Sequence, residues 1–143
     1  MDTVHLIVGL LVVASNAVAG GWGALAWWRN EPAVGFWYVL RFAQIAVVVQ
    51  VMLGAVLLLL GRAAADLHYL YGLLPIAVSL AAEAIRSGAA ERELEGLDFD
   101  ALPRTRRAAI ALAIVRRETG IMATSALIIL FLALRAAGST PLL

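Results

Sequence analysis

The sequence predicts an all-α fold: a polytopic membrane protein built as an up-down four-helix transmembrane bundle. Three observations carry this expectation. The 143 residues are 63% hydrophobic with a mean hydropathy of +0.91, too apolar for a soluble globule. Four apolar runs, 4–28, 33–60, 66–86 and 108–136, each reach the roughly 20 residues that cross about 30 Å of hydrocarbon. None of them alternates over about ten residues as a barrel strand would. With their flanks they predict helices at 3–28, 33–60, 64–95 and 101–137, in one transmembrane domain spanning 1–143.

The first run follows Asp2 directly. It has neither a basic leader nor a small-residue cleavage site, so it reads as a retained helix and not a signal peptide. In "RNEP", Asn30 supplies a stop and Pro32 a first-turn start for the second helix. Gly61 closes the second helix, and Asp66 or a neighbour caps the third. Pro75 removes a backbone donor and obstructs the Tyr71 carbonyl, so the third helix is expected to bend there. In "ELEGLDFDALP", Gly96 ends the third helix with Leu97 as its apolar follower, and Asp100 caps the fourth. Gly138 ends the fourth. Residues 87–107 then form a polar hairpin outside the bilayer.

Arginine placement sets the expected orientation. Arg86, Arg92, Arg104, Arg106, Arg107, Arg116 and Arg117 flank the 3–4 hairpin, and Arg29 and Arg41 flank the 1–2 loop. The opposite side offers mainly Arg62 and Arg135. The positive-inside rule makes the 1–2 and 3–4 loops cytoplasmic and both termini extracytoplasmic, in a bacterial inner (plasma) membrane. Trp22, Trp27, Trp28, Trp37 and Tyr38 gather at the same cytoplasmic boundary as an aromatic belt.

Composition closes off several chemistries. No cysteine is present, which removes disulfides, thiolate metal sites and thiol redox chemistry. All 11 basic residues are arginine, so no lysine can form a Schiff base. Nothing suggests nucleic acid. No carboxylate falls at mid-membrane, where a proton-coupled transporter would need one. The mid-membrane polar set is Asn16, Gln44, Gln50, Ser79, Thr124 and Ser125, suited to hydrogen bonds between helices.

One pattern points to chemistry. The two histidines, His5 and His68, occur in "HLIVGLLVVASN" and "HYLYGLLPIAVS", a shared His-x-x-x-Gly-Leu-Leu that hints at a duplicated two-helix unit. Small and polar residues line one face of each helix: His5, Gly9, Asn16, Gly20, Gly23 and Trp27 on the first, His68, Gly72, Pro75, Ser79, Glu83 and Arg86 on the third. In an up-down bundle these helices are diagonal partners. Two imidazoles at one depth can then serve as axial ligands to a haem b, making His5 and His68 the metal-binding pair. Gly9 and Gly72 would leave room for the ring, and Arg62 and Arg135 would meet its propionates. The arrangement resembles small four-helix membrane cytochromes of the b type in helix count and histidine pairing only. With both axial positions filled, such a site would favour electron transfer over oxygen chemistry, and no catalysis of its own is expected. Two histidines alone are too few for an ordinary zinc site. The plain alternative is that both are polar end-caps and both glycines serve only helix packing.

Two further surfaces complete the reading. "RRE" at 116–118, with Arg41, Glu83 and Arg86, forms a charged inner layer. It reads as snorkelling anchors or as a pocket for a lipid or quinone headgroup. On the second helix, Ala43, Ala46, Gln50 and Gly54 share a face roughly opposite Arg41. One face must meet the bundle and the other lipid, a homo-oligomer or another membrane protein. The function expected is a bis-histidine haem b electron-transfer subunit. A non-catalytic structural or assembly subunit of a membrane complex is the first alternative and a small-solute transporter the second.

Overall fold

The computed structural model describes residues 2–62 and 64–138. The predicted 1–143 span also takes in residues 1, 63 and 139–143, which lie outside the described set. Four helices make up the described chain: α1 (Asp2–Arg29), α2 (Val34–Leu59), α3 (Asp66–Leu94) and α4 (Arg104–Gly138). All four are long and apolar enough to cross a membrane.

The helix ends follow from local chemistry. Asn30 adopts a left-handed φ of 57°. Glu31 N–H then donates to the Ala26 carbonyl at 3.0 Å and Asn30 N–H to Trp27 at 3.3 Å, the Schellman pairing that satisfies orphan carbonyls. Gly61, at φ 76°, does the same for α2, with Arg62 N–H on Leu57 and Gly61 N–H on Leu58, each at 3.0 Å. The starts of α2 and α4 differ in detail from the sequence expectation, and that of α3 falls on a neighbour of Asp66. Pro32 precedes the helix rather than opening it, and Ala33 is the N-cap of α2. Ala65 is the N-cap of α3, which places Asp66 in the first turn, where its charge complements the helix dipole. Asp100 does not cap α4. A turn over 98–102, with Ala101 N–H on Asp98 Oδ1 at 3.4 Å, delays the helix to Arg104, and the Pro103 carbonyl accepts from Arg106 and Arg107.

α1 packs along both α2 and α4, and α3 along α4, whereas α2 and α3 touch over a shorter seam. Ala19, Phe36, Leu40, Ala82, Met122 and Ala126 form one buried cluster. Val12, Ala46, Val47 and Ile129 form a second. The α1 contacts depend on absent side chains. A Cβ on Gly23 would lie 2.5 Å from Phe36 Cε2 and 2.8 Å from Ala123 Cβ, and one on Gly20 would lie 2.6 Å from Leu127 Cδ2. Leu6, Leu10, Ile45, Met52, Leu80 and Phe131 point outward and exposed, an apolar surface suited to contact with hydrocarbon.

Neighbouring glycines on α1 should therefore respond oppositely. Gly23→Ala is expected to lower stability by about 1–3 kcal/mol through overpacking. Gly21, whose added Cβ meets nothing within 4 Å, should accept alanine with a gain of up to about 1 kcal/mol from helix propensity. Thermal unfolding of the two purified variants in detergent reads both.

Candidate functional site: a histidine pair and an arginine–carboxylate layer

His5 lies in the first turns of α1 and His68 is the third residue of α3. Their ring centroids are 6.0 Å apart with planes tilted by 54°, and both residues are half-buried. This contact joins two helices that otherwise scarcely meet.

Each imidazole is held from a different neighbour. His68 Nδ1 lies 3.1 Å from the carbonyl oxygen of Ala136 on α4. A carbonyl only accepts, so Nδ1 carries the proton and, in the neutral ring, Nε2 keeps its lone pair. His5 Nε2 lies 3.2 Å from Gln50 Nε2 on α2, so the amide N–H donates to the imidazole lone pair. The Gln50 Oε1 is buried and has no hydrogen-bond partner among the described residues. A Cβ on Gly54 would sit 3.5 Å from His5 Cε1, so the bare backbone of α2 gives the ring its seat. Around His68, the Tyr69 ring packs edge-on at 6.2 Å. Its hydroxyl accepts the Ala64 N–H at 2.8 Å and so pins the approach to α3.

The remaining residues of the predicted site divide. Arg135 lies at the same end, its guanidinium 5.6 Å from the Tyr71 ring. Arg62 is exposed in the turn after α2. A Cβ on Gly72 would meet nothing within 4 Å, which leaves open space there. Space at Gly9 is already taken: Gln50 Nε2 is 3.0 Å from where its Cβ would be. The expectation of ring room at Gly9 therefore requires the Gln50 side chain to move. No cluster of three or more His, Cys, Asp or Glu occurs among the described residues.

A second polar layer occupies the other end. Glu83 of α3 is its centre: it pairs with Arg41 of α2, accepts from Gln44 at 2.9 Å and accepts from Arg86 Nε at 2.9 Å. Gln44 also donates to Ser79 at 3.3 Å. Arg86 reaches Glu118 of α4 at 3.5 Å and lies 5.8 Å over the Trp37 ring. Of the polar residues expected to bridge helices, Gln44, Gln50 and Ser79 do so. Asn16 and Ser125 instead bond to carbonyls of their own helices, Val12 and Met122, each at 2.8 Å, because their side chains are short enough to satisfy themselves locally.

Sequence reasoning did not attach Gln50, Gly54 or Ala136 to the histidines. For Gln50 and Gly54 a signal existed in their shared face with Ala43 and Ala46, both buried here. For Ala136, whose contribution is a backbone carbonyl, the side-chain identity carries no signal.

Searches of protein-family models, curated proteins and solved structures give no match to this chain.

The Glu83 layer should be measurable. Glu83→Ala leaves two guanidiniums and an amide without their shared acceptor, and is expected to cost about 1–3 kcal/mol. Glu91→Ala, at an exposed position of the same helix, should stay within about 0.5 kcal/mol. Detergent unfolding curves compare them.

Proposed function

We propose that this protein is an electron-transfer subunit of a bacterial inner membrane, holding one haem b between His5 and His68. The single observation behind this reading is the 6.0 Å separation of the two imidazole centroids. Two metal–imidazole bonds of about 2 Å, plus about 1 Å from each nitrogen to its ring centre, sum to roughly 6 Å. The pair is thus spaced as two ligands of one metal, and two ligands without a third suit axial coordination of a macrocycle better than a bare zinc ion.

The surrounding residues fit such a group in three respects. The His68 bond to the Ala136 carbonyl fixes the ring's orientation and raises its basicity as a ligand. Open space at Gly72 lies one turn along the same face. Arg135, and Arg62 in the turn after α2, supply cations for propionates. One adjustment is needed: the Gln50 amide must swing off His5 Nε2, a rotation of one flexible side chain. A haem held by His5 and His68 would supply one-electron transfer.

Support for the up-down arrangement comes from the contacts His5–Gln50, His5–His68 and His68–Ala136, which join the starts of α1 and α3 to the later parts of α2 and α4. Arginine excess around the 1–2 and 3–4 loops supports a cytoplasmic side for both, with the termini outside. A second reading has its own observation. Each imidazole already makes a hydrogen bond to another helix, which is all that a non-catalytic assembly subunit requires.

Absorption of the purified full chain separates the two. Haem b ligation predicts a Soret band and a sharp α band on reduction. His5→Ala and His68→Ala should each abolish or broaden that reduced band. A chain that stays colourless after haem reconstitution, or variants with unchanged spectra, would reject the ligand assignment. An assembly subunit would lose stability in the same variants and show no pigment.

A further inference from the structure

We infer that the groove between α3 and α4 binds an anionic phospholipid, with the phosphate at Arg116 and an acyl chain along the groove. This stands apart from the haem proposal, since it uses none of the same residues. The cavity measures about 830 Å³, with Val78, Ala82 and Ile85 on the α3 side and Gly120, Ile121 and Ile128 on the α4 side. It extends from Glu93 and Ala113 to Val78 and Ile128, fifteen residues along each helix or roughly 22 Å. That exceeds the ~15 Å depth of one hydrocarbon leaflet, so the groove accommodates a lipid chain lengthwise.

The charge pattern at its mouth selects the headgroup. Arg117 is neutralised by Glu93 at 2.7 Å. Arg116 forms no salt bridge among the described residues, and its guanidinium lies 5.8 Å over the Trp27 ring. Trp27 in turn rests on bare backbone: a Cβ on Gly120 would be 2.8 Å from its Nε1. An uncompensated arginine beside an indole, at the top of an apolar trough, matches a phosphate joined to a hydrocarbon chain. A zwitterionic lipid offers no net charge to that arginine. A quinone headgroup is neutral and would leave it unmatched. A second copy of this chain would bring the same unpaired cation to the interface.

Native mass spectrometry of the detergent-solubilised full chain tests the assignment, using dioleoyl-phosphatidylglycerol against dioleoyl-phosphatidylcholine. The wild type is expected to retain the anionic lipid at least fivefold more than the zwitterionic one. Arg116→Gln should erase that preference and Arg116→Lys should keep most of it. Ala113→Phe, at an exposed position on the groove edge, should reduce retention of the anionic lipid while leaving the unfolding temperature near that of the wild type. Equal retention of both lipids by the wild type would overturn the inference, as would an unaltered preference in Arg116→Gln. So would displacement by millimolar inorganic phosphate, or a groove-filling variant that dissolves a dimer without affecting lipid. Should Arg116→Gln fail to fold, the Ala113→Phe comparison decides alone.

Discussion

Close approach of α1 to its neighbours is the constraint on which the rest of the bundle depends. Gly20 and Gly23 carry no side chain where Leu127, Phe36 and Ala123 come nearest. Between apolar helices in lipid there is little hydrophobic drive, so tight van der Waals contact and a few hydrogen bonds must supply the association. α1 is the helix that meets both α2 and α4. Were it held a few ångströms farther out, Phe36, Met122 and Ala126 would lose their common core. His5 would also stand too far from His68 for the rings to meet.

The sparse α2–α3 seam is reinforced by polar chemistry at one end. Arg41 and Gln44 on α2 reach Ser79 and Glu83 on α3, while Gln50 ties α2 to His5 on α1. In a bilayer such a network would cost little near a boundary, where arginine and glutamate keep access to the interface. The Glu83 carboxylate makes four contacts with three partners, Arg41, Gln44 and Arg86, so it orders three helices through Arg41, Arg86 and the Arg86–Glu118 pair.

The histidine end has a different character. Its two rings are oriented by groups on the other two helices, a carbonyl of α4 and an amide of α2, so all four helices contribute to one small site. Such convergence is what a cofactor needs, and it underlies the proposed haem assignment. It also explains why the site was only partly visible beforehand. Paired motifs "HLIVGLL" and "HYLYGLL" marked the two rings, but the partners that aim them belong to segments without a motif.

Hydropathy, run length and punctuation by Asn30, Gly61 and Gly96 predicted four long apolar helices and the stops of the first three, because those properties act over a few residues and a bilayer imposes one length scale. Asp100 does not cap α4: Asp98 accepts the Ala101 N–H in a preceding turn and the helix opens only after Pro103, a choice that sequence spacing does not rank. Which face of α2 turns inward was undecided from composition: Arg41 and the Ala43–Ala46–Gln50 face were rivals. In the folded chain both are used, since Arg41 reaches sideways to α3 while the small face packs inward. The 6.0 Å approach of the two imidazoles, the Gln50 amide lodged at Gly9 and the carbonyl of Ala136 were decided only by tertiary structure. Each depends on helix rotation and offset, quantities that side-chain packing between distant segments sets and that no local pattern encodes.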